Sequence, residues 1–353
     1  LTSPPADRRA DAIAVVLLLA GLALYCLHAV DFGGRPEEDA AMLLRYSRHL
    51  AAGYGIVWNI GEPPVDGATD FLFMLLVALL HSGGLSLEAA AQGLGLLAHA
   101  ATTALVYLGA RRLHAASPPL ALVPAAFLAV GPGLRHLTAC YGTPVFALIA
   151  TAAFWSATRA AQAGEDRLPR ASLGLAVASL LLGLARPEGV FLGAFFLGAV
   201  LVCRGGGGAR VLISRFALAF LTVGLAYFLW RWHYFGHPLP NPFYKKGGGL
   251  LHPHSLRMAW RNLWDLSLPF VAVVLLGLPA RATRRLALLT LLPVAAFVAL
   301  WVLLSDETNY VMRFRYPILP VVLLGFAGMA ARLLGWARRP LAGLPAVARG
   351  AIS

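Results

Sequence analysis

Long apolar stretches recur from one end of this chain to the other, and arginines punctuate them. That alternation constrains the fold more than any single motif does. In a lipid bilayer no water is present to satisfy backbone N–H and C=O groups, so an apolar stretch that crosses must satisfy its own. Stretches of about 20 apolar residues do this as helices. Of the residues, 59% are hydrophobic and 13% charged, where a soluble domain carries about a quarter charged. The expectation is an all-α integral membrane protein.

The arginines set an orientation. Arg8 and Arg9 precede the first apolar stretch, and cytoplasmic flanks carry the positive excess. The first stretch, residues 12–30, has no small-residue cleavage signature after it and reads as a retained span rather than a signal peptide. Basic clusters then recur at Arg111 and Arg112, Arg159 to Arg170, Arg204 to Arg215, Arg281 to Arg285, and Arg332 to Arg339. Two spans fit between each pair of clusters. Ten spans result, near 11–30, 87–110, 118–134, 143–160, 171–186, 189–203, 211–232, 266–280, 286–304 and 316–333, with both ends cytoplasmic. Residues 71–80 are too short to cross about 30 Å of hydrocarbon and read as an interfacial or re-entrant helix. Three polar outer regions remain, 31–86, 233–265 and 305–315, in a single membrane domain over 1–353 with no separate soluble domain. The net charge of +13 fits span-flanking arginines, and no nucleic-acid partner is expected. Cys26, Cys140 and Cys203 are too scattered for a disulfide framework or a metal site.

Against this background one stretch stands out. Glu37, Glu38 and Asp39 sit together in RPEEDAAML, at the start of the first outer region, in a chain with 16 acidic residues. Met42, Leu43, Tyr46 and Leu50 follow at helical spacing, so the acids also suit the start of a helix on the membrane surface. The next segment, AAGYGIVWNIGEPPVDGATDF (51–71), is rich in Gly, Pro and aromatic residues and carries Glu62, Asp66 and Asp70. Loops of this kind on a rigid scaffold tend to carry function.

The stretch EDAAMLLRYSRHLAAGYGIVWNIGEPPVDGATDFLFMLL resembles the first outer loop of GT-C integral-membrane glycosyltransferases, in particular the bacterial arabinofuranosyltransferase and protein-mannosyltransferase-like groups that use polyprenyl-phosphate sugars. ARPEG (185–189), FGHPLPNPFYKK (235–246) and RFRYPILP (313–320) match further motifs in the same order. The resemblance implies a GT-C-like bundle of about ten transmembrane helices, with juxtamembrane helices in the first outer loop. It implies transfer of a sugar from a polyprenyl-phosphate carrier to a hydroxyl of an envelope glycan, lipid or protein, outside the cytoplasmic membrane of a bacterium. The family's acidic pair falls on Glu38 and Asp39, and both are carried as catalytic candidates. Asp66 falls where the family has Glu. The family's Gly-x-Glu-Thr motif stands here as Tyr141-Gly142-Thr143-Pro144, without its acid.

Such a reaction needs a carboxylate to take the acceptor proton. It also needs negative charge near an oxocarbenium-like carbon and cations for the leaving phosphate. Candidates for the phosphate are Arg186, Lys245, Lys246, Arg313 and Arg315, with Arg315 favoured by the Arg-aromatic-Pro pattern. Arg186 reads equally as a snorkelling residue paired with Glu188. Candidates for the sugar or acceptor are Glu37, Trp58, Asn59, Asp66, His136 and Tyr244, although Trp58 and Tyr244 suit an interfacial aromatic belt as well. No residue is assigned to a metal, and a divalent ion is a possible cofactor through His233, His237, His252 and His254. A transporter or flippase for a lipid-linked sugar, or a non-catalytic scaffold, is the alternative. Spans nearly free of acids favour the enzyme, since transporters place charges near the midplane.

Overall fold

The computed structural model describes residues 8–247, 250–305, 309 and 312–342, except the side chains of Lys246 and of 337–342. Every element in it is helical: α1 Arg8–Ala29, α2 Glu38–Ala51, α3 Phe71–Ser82, α4 Leu87–His114, α5 Pro118–Ala129, α6 Leu134–Thr138, α7 Thr143–Gln162, α8 Leu168–Ala185, α9 Glu188–Arg204, α10 Ala209–Ala219, α11 Leu225–Phe235, α12 Asn241–Gly247, α13 Pro253–Ser267, α14 Phe270–Leu275, α15 Arg281–Leu300 and α16 Leu319–Ala342. A π-helical turn at Phe220–Gly224 joins α10 to α11. Among the described residues no strand occurs. This is a multi-pass, all-helical membrane protein.

The bundle centres on α7, which touches α4, α8, α9 and α16. Its composition explains why. Ala147, Ala150, Ala153, Ala157 and Ala160 are buried along it, and small side chains let helix axes approach closely where lipid supplies no hydrophobic drive. Polar side chains in these helices bond back to their own turn: Thr151 to Ala147, Thr158 to Phe154, Thr102 to Ala98 and Thr290 to Leu286. Each hydroxyl is thereby satisfied without water.

Seven helical stretches are long and apolar enough to cross a membrane: Arg8–Ala29, Leu87–His114, Pro118–Thr138, Leu168–Ala185, Ala209–Phe235, Arg281–Leu303 and Tyr316–Trp336. Two further expected spans are the helices α7 and α9. α7 is more polar and sits inside the bundle; α9 has 17 residues. The expected span at 266–280 is not a continuous helix. α13 stops at Ser267, Leu268 is extended, and α14 covers only Phe270–Leu275. Pro269 explains the break: its ring drives the preceding residue out of the helical region. α3, with 12 residues, is about 18 Å long and stays too short to cross.

α2 buries Leu43 and Tyr46 of the apolar residues read at helical spacing. Ala40, Leu43, Leu44 and Ser47 form the inward stripe, Tyr46 and His49 are buried beside it, and Met42 is exposed. Ser47 allows the close approach of α3, and its hydroxyl donates to Met74 O at 3.0 Å.

Candidate active site

Four distant segments meet at the end of the bundle that carries the loop after α1. Asp39 lies in the first turn of α2, and Asp70 immediately precedes α3. Arg186 and Glu188 form the turn between α8 and α9. Arg313 lies just before α16. Arg313 Nη2 donates to Asp39 Oδ2. Arg186 reaches Asp70 Oδ1 through Nη1 at 2.5 Å and Glu188 Oε1 through Nε at 2.6 Å. Asp70 also feels the charges of Arg313 and Asp39, so the two ion-pair sets are one cluster, which among the described residues joins Asp39, Asp70 and Glu188 to Arg186 and Arg313.

Local sequence builds this cluster. Pro187 opens α9, and Gly189 follows because a Cβ there would lie 2.0 Å from Leu182 O. That tight turn holds Arg186 and Glu188 side by side. Across from it, Gly142 leaves room for Asp70: a Cβ there would lie 2.8 Å from Asp70 Oδ2. Tyr141 places its ring 4.6 Å from the Arg313 guanidinium, and Phe314 lies 4.8 Å away. Arg186 in turn lies 5.5 Å from the Phe314 ring. These aromatic faces stabilise cations in a place with little water.

The groups differ in access. Arg186, Arg313 and Asp70 are buried. The Asp39 side chain is 27% exposed and is the cluster's accessible carboxylate. Burial pushes the Asp70 carboxyl up from the usual carboxylate range, against the opposing pull of Arg186. The arrangement therefore offers an accessible carboxylate beside cations, as proton abstraction next to a phosphate requires.

The other expected residues lie in several places. Glu37 and Glu38 are exposed ahead of Asp39. Arg315 is fully buried, with its guanidinium 4.2 Å from the Trp301 ring. Asp66 belongs to a second ion pair, in which Arg231 on α11 donates to both its oxygens, through Nε at 2.8 Å and through Nη2. Together with Tyr46, whose hydroxyl donates to Val65 O at 2.8 Å, this pair pins the loop 63–70 onto the bundle. Burial raises the Tyr46 phenol to about 12. Trp58 and Asn59 engage Arg45: the guanidinium lies 4.3 Å from the indole and donates to Asn59 Oδ1 at 2.7 Å. His136 is fully buried against the Tyr316 ring at 4.8 Å, and among the described residues neither ring nitrogen has a hydrogen-bond partner. Lys245 and Tyr244 are exposed on α12, and the Lys246 side chain lies outside the described residues. Among the described residues no group of three or more His, Cys, Asp or Glu side chains is placed to hold a metal. His237 instead faces Tyr244, and His252 bonds to Gly247 O.

Two participants escaped sequence reasoning. Asp70 looked like one more loop acid, and only folding brings it to Arg186. Arg231 did leave a signal: a charge within the apolar stretch LAYFLWRWHYF is costly unless paired.

No protein-family model matches the sequence, and no match was found among curated proteins. Among solved structures the fold is similar to that of ArnT from Cupriavidus metallidurans bound to undecaprenyl phosphate, with a TM-score of 0.68 and 15% identity. The similarity covers 94% of this chain, and the chain spans 66% of the length of that structure. The likeness shows the fold: the chain has an ArnT-like bundle of membrane helices.

Proposed function

We propose that the protein is a membrane glycosyltransferase that moves a sugar from a polyprenyl-phosphate carrier to an acceptor hydroxyl on the extracytoplasmic side of a bacterial cytoplasmic membrane. The observation that carries this reading is the pairing of Asp39 with Arg313 beside Arg186, on a fold shared with a protein solved with undecaprenyl phosphate bound. The acceptor is a hydroxyl of an envelope glycan, lipid or protein.

In this reading Asp39 accepts the proton of the acceptor hydroxyl as it attacks the anomeric carbon. Glu38, one position ahead, is the other acid the resemblance carries into that role. Positive charge developing on the sugar ring is stabilised by the carboxylates of the cluster. The departing phosphate takes up negative charge, which Arg186 and Arg313 offset with Arg315 behind them. Their guanidiniums are already desolvated and backed by aromatic rings, so little reorganisation is needed as charge develops.

The test uses the full chain in nanodiscs with a panel of radiolabelled polyprenyl-phosphate sugars and an envelope extract as acceptor. Transfer by the wild type that is lost in Asp39→Asn supports the reading. Transfer that survives the double variant Glu38→Gln, Asp39→Asn overturns the assignment of the base. Donor binding without transfer would move the protein to the lipid-linked-sugar transporter or scaffold reading.

A further inference from the structure

Arg186 is gripped on two edges. Nε donates to Glu188, its neighbour two residues on, and Nη1 is ion-paired at 2.5 Å with Asp70 from the end of the first loop. Among the described residues Nη2 makes no such bond. The guanidinium is therefore held in orientation with three of its five N–H donors left over, one on Nη1 and both on Nη2, a geometry suited to an incoming oxyanion. Glu188 belongs to the same tight turn and can fix only the stem of the side chain. Asp70 reaches across from another segment and is itself placed by the notch at Gly142, where a Cβ would lie 2.8 Å from its Oδ2. Asp70 also heads α3, which touches α8, so the seating of the first loop is tied to the position of Arg186.

We propose that Asp70 is a positioning residue: its ion pair aims Arg186 so that the free edge of the guanidinium receives the phosphate of a polyprenyl-phosphate lipid. This rests on the donor reading above and adds a residue to it. Two effects of opposite sign follow from a carboxylate in this place. As a mere neighbour, Asp70 repels an incoming phosphate, and removing its charge tightens binding. As the residue that aims Arg186, it is required, and removing its charge weakens binding.

The sign is measurable without any sugar transfer. The probe is undecaprenyl phosphate carrying no sugar, titrated against the purified full chain and read by native mass spectrometry. In Asp70→Asn binding is expected to weaken about tenfold, the usual cost of losing one charge-assisted contact. Gly142→Ala keeps every charge but pushes on Asp70 Oδ2, and is expected to weaken binding in the same direction. It also covers the case in which Asp70→Asn does not fold. In an Arg186→Ala background Asp70→Asn should have little further effect, since both act through one guanidinium. Unchanged or tighter binding in the single variants overturns the role of Asp70. A wild type that binds neither this lipid nor its glycosylated forms overturns the donor reading itself, and the two failures are thereby told apart.

Discussion

Buried ion pairs occur at both ends of this bundle, and they are built differently. At the end where α1 begins, Asp11 accepts from Arg111 Nε at 2.7 Å and from the Tyr107 hydroxyl at 3.1 Å, while Arg111 Nη1 donates to Ala116 O at 2.5 Å. Arg204, between α9 and α10, spends its donors on Ala160 O, Ala163 O and Gly207 O. These are one-to-one or carbonyl-satisfied arrangements, and they fasten helices and loops. At the opposite end Asp39, Asp70 and Glu188 face Arg186 and Arg313, drawn from four segments of the chain. One acid, Asp39, stays within reach of solvent, and another, Asp70, is pushed up by burial. The contrast teaches that burial and pairing alone do not mark a functional cluster. A cluster drawn from many segments and left accessible does.

Substitutions can break or sharpen that contrast. The largest effect is expected for Asp39→Asn, with sugar transfer per folded molecule falling by about a thousandfold, as for loss of a general base. Arg111→Ala should do the reverse. It leaves Asp11 buried and unpaired, costs about 3 kcal/mol of stability, and leaves transfer per folded molecule unchanged; scanning calorimetry beside the transfer assay checks both. A pH series on thermal midpoints comes next. The folded-state pKa of Asp70 is raised above its unfolded value, so its contribution is fully present below the unfolded pKa and is lost as pH rises through the folded one. Wild type should therefore lose ground against Asp70→Asn as pH rises from below the unfolded carboxylate pKa through the folded one, and a difference independent of pH would contradict the burial argument. Glu38→Gln should change transfer by less than about threefold, because Glu38 is exposed and Asp39 holds the pair with Arg313. The smallest effect is expected for Arg167→Ala, whose pairing with Asp166 is fully at the surface: no shift of midpoint or transfer rate should be measurable.

Much of this organisation was legible along the chain. Apolar length and arginine spacing predicted the helices, because a bilayer leaves the backbone no other way to satisfy itself. α3 was readable as too short for the same reason. The tight ARPEG turn and the acid at Asp39 were visible as motifs, and the pairing of Arg186 with Glu188 followed from nearness in sequence. The stop at Pro269 could have been read from Leu268-Pro269 but was masked by the apolar residues around it. Of the apolar residues at helical spacing on α2, Leu43 and Tyr46 are buried and Met42 is not, because α2 turns its Ala40, Leu43 and Ser47 edge toward α3. One helix carries more apolar positions than it has partners, and spacing does not choose among them.

By itself, then, the sequence determined most of the long apolar helices and where acids and arginines cluster locally. Those properties are set by composition and by interactions within a few residues. Only the tertiary structure decided that Asp70 meets Arg186, that Asp39 meets Arg313 from the far end of the chain, and that Asp66 is claimed by Arg231. The physical reason is that an ion pair between distant residues depends on helix packing, on the notch at Gly142 and on the small faces of α7, none of which leaves a periodic trace in the chain.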